Sequence, residues 1–240
     1  MCEIACRITG ISIVIEAKNL GKSYTDALGE LWAVKELNIS VETGLFVSIV
    51  GRSGSGKTTL LKMLGGLLKP TEGTVLINGQ NPYLMTEKEL AGFRCNRIGF
   101  VFQDYFLEEM YTVYQNLEIV LMISRIPAGE RKELIAKALE DVGMLHKKDS
   151  YVKALSGGEK QRVCIARATV NNPDILFADE PCGNLDYENG QAVMKLLRAQ
   201  SDAGKTVVLI THNLDDARLT DIIITLKDGS IIKYEDNRHL

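Results

Sequence analysis

Phe46-Val47-Ser48-Ile49-Val50-Gly51-Arg52-Ser53-Gly54-Ser55-Gly56-Lys57-Thr58-Thr59 is the stretch on which the reading of this chain turns. Phe46 to Val50 has the length and the β-branched, aromatic content of a buried strand. It runs into a glycine-rich turn, Gly51 to Thr58, of pattern GxxxxGK[ST]. Beyond the turn, Leu60, Leu61, Leu64, Leu67 and Leu68 recur at helical spacing until Lys69-Pro70, which predicts a helix over 57–68. The residue types carry the chemistry. Glycines let successive backbone N–H groups point inward and form a concave anion seat. The following helix aims the positive end of its dipole at the same point. Lys57 offers a point charge to the outer phosphates of a nucleotide, and Thr58 a hydroxyl to Mg²⁺. Gly51, Ser53, Gly54, Ser55, Gly56, Lys57, Thr58 and Thr59 are the expected phosphate-binding residues.

Working outward, four more short apolar runs read as strands: Ile98 to Phe102, Ile175 to Ala178, Val207 to Ile210 and Ile222 to Leu226. Unbroken apolar runs suit a sheet covered on both faces. Helical patterns lie between them, over Glu130 to Val142 with Gly143 as the stop and over Glu188 to Ala203 before Gly204. Strands alternating with helices predict an α/β fold with a largely parallel sheet. Asp104 to Leu155 has no strand-like run and reads as a helical insert. Residues 1–12 read as an extension, and patterned sequence begins with the alternation Ile13, Ile15, Ala17.

Asp179 and Glu180 directly follow Ile175 to Ala178. Carboxylates after a buried parallel strand sit at the sheet's carboxyl edge, where ligands bind. One suits the water shell of Mg²⁺, and the next can polarise an attacking water. An ordinary polar strand end is the plainer alternative for a lone acid, but two consecutive acids behind a phosphate-binding loop weigh against it.

Composition narrows the classes. The chain has 240 residues, 45% hydrophobic and 25% charged, which is ordinary for a globular domain and excludes disorder or a disulfide scaffold. Net charge is −3, so no basic field argues for nucleic acid. Cys2, Cys6, Cys95, Cys164 and Cys182 contain no CxxC pair, which argues against zinc and fits a reduced cytosolic chain. Apolar stretches such as Ile11 to Ile15 and Ile119 to Ile123 fall short of the roughly 20 residues of a membrane span. No basic n-region of a signal peptide precedes them.

Leu155-Ser156-Gly157-Gly158-Glu159, followed by Lys160-Gln161-Arg162, resembles the LSGGQ-type signature of ATP-binding cassette (ABC) ATPases, with Glu159 where glutamine is commonest. Ser156 and the two glycines would offer a hydroxyl and N–H groups at the start of a helix over 159–170. Other family landmarks follow in order: Tyr24 as the adenine-stacking aromatic, Gln103 of the Q-loop, Gly183-Asn184-Leu185-Asp186 of the D-loop and His212 of the switch. Singly, each has a plain alternative: a packing tyrosine, a solvated glutamine, a satisfied strand-end histidine. Jointly they cover residues 13–233. His146 and His239 match no landmark and read as solvated, as does the charged face of residues 130–148.

The resemblance implies a RecA-like P-loop NTPase core with a mostly parallel sheet, an N-terminal antiparallel β subdomain, and a family-specific helical subdomain over about 104–155 of a domain spanning 13–240. It implies hydrolysis of MgATP, with Glu180, His212 and Lys57 catalytic and Thr58, Gln103 and Asp179 arranging the metal. Ser156, Gly157 and Gly158 would complete the ATP site of a second copy. Two copies would then close on two ATP molecules. A separate transmembrane permease subunit and a place on the inner face of the cell membrane follow for a transporter of this kind. Within the family, the D-loop and the Phe-Val-Phe-Gln run look like the lipoprotein-release, macrolide-export and antimicrobial-peptide-export class. Export or extraction of a substrate is the leading function, and transmembrane signalling without transport is the alternative. A cassette acting on ribosomes or DNA fits less well, because the chain holds one cassette and no long coiled-coil interval. Leu45, Cys182 and Asn213 depart from the usual pattern. Cys182 raises redox sensitivity as an idea, against the plainer reading of an inert small side chain.

Overall fold

The computed structural model describes residues 12–26 and 29–238. The expected extension lies outside them apart from Ser12, and so do Cys2, Cys6 and His239. Strands β1 (Ile13–Asp26) and β2 (Gly29–Glu42) pair antiparallel, and β4 (Glu72–Ile77) pairs with the other side of β1. This is the antiparallel sheet that the resemblance implied. Strict alternation describes it poorly. Register shifts between Ile13 and Ile15 and between Ala17 and Leu20 leave Val14, Ile15, Ala17 and Leu20 all buried, and Ile13 half-buried. Bulges break the two-residue period on which the sequence reading relied.

The second sheet has the order β5-β6-β7-β3-β8-β9. It consists of β5 (Ile98–Phe102), β6 (Ile175–Asp179), β7 (Thr206–Thr211), β3 (Phe46–Val50), β8 (Ile222–Lys227) and β9 (Ser230–Asp236). All neighbours run parallel except β8 and β9. Successive residues of β6 feed two cores. Ile175 and Phe177 join Val47, Ile49, Val208 and Ile210 on one face. Leu176 and Ala178 join Phe46, Val207 and Leu209 on the other. Burial of both faces is why these strands read as unbroken apolar runs. Truncating the fully buried Phe177 to alanine would cost about 3–5 kcal/mol.

The helices are α1 (Lys57–Leu64), α2 (Glu87–Arg97), α3 (Val113–Ile123), α4 (Ala128–Asp141), α5 (Gly157–Thr169), α6 (Tyr187–Asp202) and the single turn α7 (Leu214–Ala217). Helix α1 packs between the two sheets, whereas α3 to α6 cover the opposite face of the parallel one. It ends at Leu64, four residues before the expected stop. Gly65 caps it against the Phe100 ring, where a Cβ would meet a ring carbon at 2.6 Å, and Gly66 turns the chain away at φ 69°. Helices α4, α5 and α6 each start one or two residues before their expected bounds. Helix α2 fully buries no side chain and half-buries Leu90 and Phe93, so its sequence carries too narrow an apolar stripe to read. Thr86 and Glu89 start it with a capping box. The insert over 104–155 holds α3, α4 and two short 3₁₀ turns, and most of its charged residues face outward, His146 included, whereas Arg131 is half-buried beside Glu118.

Candidate nucleotide site

The turn after β3 curls as its glycines allow. Gly54 and Gly56 adopt φ of 78° and 98°. A Cβ on Gly56 would stand 2.2 Å from the Ala33 carbonyl oxygen, so both its conformation and its surroundings require glycine. The turn is braced from below by the β8–β9 hairpin, where Gly229 N–H donates to Ser55 O (3.1 Å) and Gly229 O accepts from Lys35 N–H (2.9 Å). Lys57 is 8% exposed, and its ammonium donates to the carbonyls of Gly51 (2.8 Å) and Arg52 (3.0 Å). Ser55 is buried, and its hydroxyl has no hydrogen-bond partner among the described residues.

Strand polarity brings the other candidates to the same edge. Gln103 follows β5, Asp179 ends β6 with Glu180 next, and His212 follows β7. His212 Nδ1 and Glu180 Oε2 are 2.9 Å apart. Glu180 N–H donates to Ile210 O (2.9 Å), which fixes the residue in a left-handed conformation at φ 47°. Thr58 Oγ1 donates to Asp179 Oδ1 (3.3 Å). Burial pushes the Asp179 carboxyl above its ordinary pKa, the Thr58 hydrogen bond opposes this, and the nearby Glu180 charge adds to it. Ala33, Ser53, Gly54, Gly56, Lys57, Thr58, Thr59, Gln103, Glu180 and His212 line a cleft of about 620 Å³. That size suits a nucleotide-scale ligand.

Several expected residues lie outside this lining. Gly51 and Ser55 form the base of the loop, and Asp179 stands behind Thr58. Tyr24 sits on β1 opposite Leu31, half exposed, with the Lys22 ammonium 5.5 Å from its ring centre. Ser156, Gly157 and Gly158 start α5 and do not reach the cleft of their own chain. Ser156 caps that helix. Its Oγ accepts from Glu159 N–H (3.3 Å), and Glu159 Oε2 accepts from Ser156 N–H (2.9 Å). Glutamate thus performs the capping that glutamine would. The Ser156 N–H holds its carboxyl below the usual range, and Lys147 Nζ lies 3.5 Å away.

The ABC transporter family model matches residues 34–183. An uncharacterized ABC transporter ATP-binding protein of Methanocaldococcus jannaschii is 41% identical, over 92% of this chain and 98% of its own. The chain belongs to the ABC transporter family. The bacitracin export ATP-binding protein BceA of Halalkalibacterium halodurans is 40% identical, over 91% of this chain and 87% of its own. Among solved structures, the dimeric cassette MJ0796 superposes with a TM-score of 0.86 at 38% identity, covering 94% of this chain and all of that one. The same cassette is also known as a dimer in a post-hydrolysis state bound to ADP and phosphate. The fold is that of an ABC cassette, and the activity is ATP hydrolysis by an ATP-binding subunit of the family.

The cassette's departures from the family pattern have local explanations. Leu45 O accepts from Val207 N–H (2.9 Å), a backbone role open to any residue. Asn213 caps α7, its Oδ1 accepting from Asp215 N–H (2.9 Å). Cys182 is partly buried with Sγ 3.6 Å from Gly190 O, and burial beside Asp216 and Glu180 pushes its thiol up to about 12. A partly buried thiol held protonated fits the inert reading of Cys182 better than a redox role. Two supports escaped the sequence reading. Ala33 contributes backbone to the cleft wall, and Gly229 props the loop. Neither stands in a chemically telling motif. Asn184 was placed in the D-loop by resemblance, but its clasp on Gln103 is a tertiary fact: Gln103 Nε2 donates to Asn184 Oδ1 and Asn184 Nδ2 donates to Gln103 O, both at 3.3 Å.

Proposed function

We propose that this cassette drives export or extraction of a substrate by pairing with a second copy around two ATP molecules and working on a separate transmembrane permease at the inner face of the cell membrane. The observation that carries the reading is the split between two surfaces. The phosphate loop, Glu180 and His212 line one cleft, while Ser156 to Gly158 start a capped helix elsewhere on the chain. A helix N-terminus of this kind is built to hold an anion. In the proposed pair, it receives the γ-phosphate bound by the other copy. The permease is an inference from family membership and from the export named for BceA. No helix among the described residues is long and apolar enough to cross a membrane.

In the closed site, Gly54, Gly56 and neighbouring N–H groups hold the phosphates, the Lys57 ammonium turns from loop carbonyls to phosphate oxygens, and the Ser55 hydroxyl gains a partner. Tyr24 carries the adenine by stacking. Glu180 orients and deprotonates the attacking water, and His212, already against Glu180, holds that carboxylate and the γ-phosphate in line. The reaction is in-line displacement at phosphorus, in which positioning and charge stabilisation do most of the catalysis. Thr58, Asp179 and Gln103 would hold Mg²⁺. The donors fit: a hydroxyl, a carboxylate and an amide, with Thr58 and Asp179 already 3.3 Å apart, suit a hard cation. When bound, the ion supplies charge neutralisation for the phosphates.

A shared site makes turnover depend on encounter. Specific ATPase activity of the purified cassette should therefore rise with protein concentration, and tagged chain extracted from membranes should bring down a multi-span partner. Specific activity that stays constant on dilution would overturn the shared site. A partner that signals without moving a substrate would overturn the export half alone.

A further inference from the structure

The start of α6 meets the start of α5 through one side chain. Asn189 Nδ2 donates to both carboxylate oxygens of Asp186, at 3.0 and 2.8 Å, and Asn189 N–H donates to Asp186 Oδ1 at 2.8 Å. Three hydrogen bonds thus fix the orientation of an otherwise exposed carboxylate. The opposite side of the same amide faces Gly158. A Cβ built on Gly158 would stand 2.1 Å from Asn189 Oδ1, 2.5 Å from its Cγ and 3.1 Å from its Cβ. Gly158 is buried and lies in ordinary helical conformation, so the amide rather than the backbone angles excludes a side chain there. Beside it, a Cβ on Gly157 would meet Leu185 at 3.7 Å.

We propose that Asn189 is a positioning residue for the shared ATP site: its amide locks Asp186 on one side and seats the Gly157-Gly158 turn on the other, so that both reach the second subunit as one rigid unit. The inference rests on the paired reading above. Asn189 is not among the residues lining the cleft, so it acts through the turn and not on bound nucleotide within its own chain. The physical reason is preorganisation. A turn that presents N–H groups to a phosphate gains affinity when its orientation is set before contact. Asn189→Ala would remove the two side-chain bonds to Asp186, leave it held by the backbone N–H alone, and open a gap beneath Gly158. Asn189→Asp would set two carboxylates against each other at hydrogen-bond distance.

The test measures two quantities in the Glu180→Gln background: binding of a fluorescent ATP analogue at protein concentrations too low to pair, and ATP-driven dimerisation by size-exclusion with light scattering. Asn189→Ala should leave the first unchanged and weaken the second by roughly tenfold or more, the loss of two side-chain hydrogen bonds to a carboxylate that its backbone bond still holds. In the wild-type background it should lower kcat at matched protein concentration with KM for ATP little changed. Gly158→Ala should abolish dimerisation, and adding Asn189→Ala to it should restore dimers in part, because the obstructing amide is gone. The rescue reports the Gly158–Asn189 contact itself, whereas lost pairing with nucleotide binding unchanged is the readout that a purely structural role would not give. Parental dimerisation by Asn189→Ala, or a double variant no better than Gly158→Ala, would overturn this proposal while leaving the paired reading intact. A Glu180→Gln parent that stays monomeric in ATP would instead remove the paired reading, and the proposal with it.

Discussion

Replacing Glu180 by glutamine tests the chemistry most directly. The substitution removes one negative charge and one proton acceptor while leaving shape, backbone and the contact with His212 nearly intact. The side chain is 17% exposed and stands 2.9 Å from His212 Nδ1, so an amide oxygen can keep that hydrogen bond. The left-handed backbone at φ 47° is common to both residues in the substitution. Fold and ATP affinity should therefore survive. Loss of a general base typically costs 10²–10⁴-fold, or about 3–5 kcal/mol on the barrier. A second consequence follows from the neighbour. The Glu180 charge is one of the effects that raise the Asp179 pKa, so its removal eases the burial of Asp179 as an anion. The variant should melt no lower than the parent. The assays are steady-state phosphate release, ATP-analogue binding and thermal melting. Glu180→Asp, which withdraws the carboxylate by one methylene, should fall between parent and glutamine. Turnover by Glu180→Gln within a few-fold of the parent would refute the assignment of the base.

Other expectations follow from the same geometry. Lys57→Ala removes the ammonium that caps the loop and should lose ATP affinity by an order of magnitude or more in equilibrium binding, with little change in melting. Gly56→Ala forces a Cβ at φ 98° against the Ala33 carbonyl and should cost about 2 kcal/mol or more, seen as a melting point about 4 °C or more lower. Asp179→Asn should raise the melting point at neutral pH while abolishing Mg²⁺-dependent turnover. Because burial raises this carboxyl's folded-state pKa, the parent's stability from this group is greatest at low pH and declines as pH rises through and above 3.8, so the variant should flatten that decline. Cys182, with a thiol pushed up to about 12, should resist iodoacetamide at pH 8 in the folded protein and react only on unfolding.

The phosphate loop, the acidic pair after β6 and the central strands were legible because each depends on local residue types: glycines for a curled backbone, apolar runs for a sheet buried on both faces. The helical landmarks were legible to within a residue or two for the same reason, except α1, whose end is set by Phe100 packing on Gly65. The antiparallel sheet was nearly silent, because bulges in β1 destroy the alternation that announces a strand. Helix α2 was silent because it fully buries no residue and packs only Phe93 partway against the core.

Sequence alone marked the family, the glycine-rich loop and the side chains expected to meet the phosphates, since charge, hydroxyl and glycine content are properties of residues in order. Only the tertiary structure decided what stands beside what. It put Glu180 against His212, Asn184 on Gln103 and Asn189 between Asp186 and Gly158, and it set the partly buried Cys182 beside Gly190. These pairings join residues from different strands and helices, and their energies come from distance and from exclusion of water. Neither quantity exists until the chain has folded.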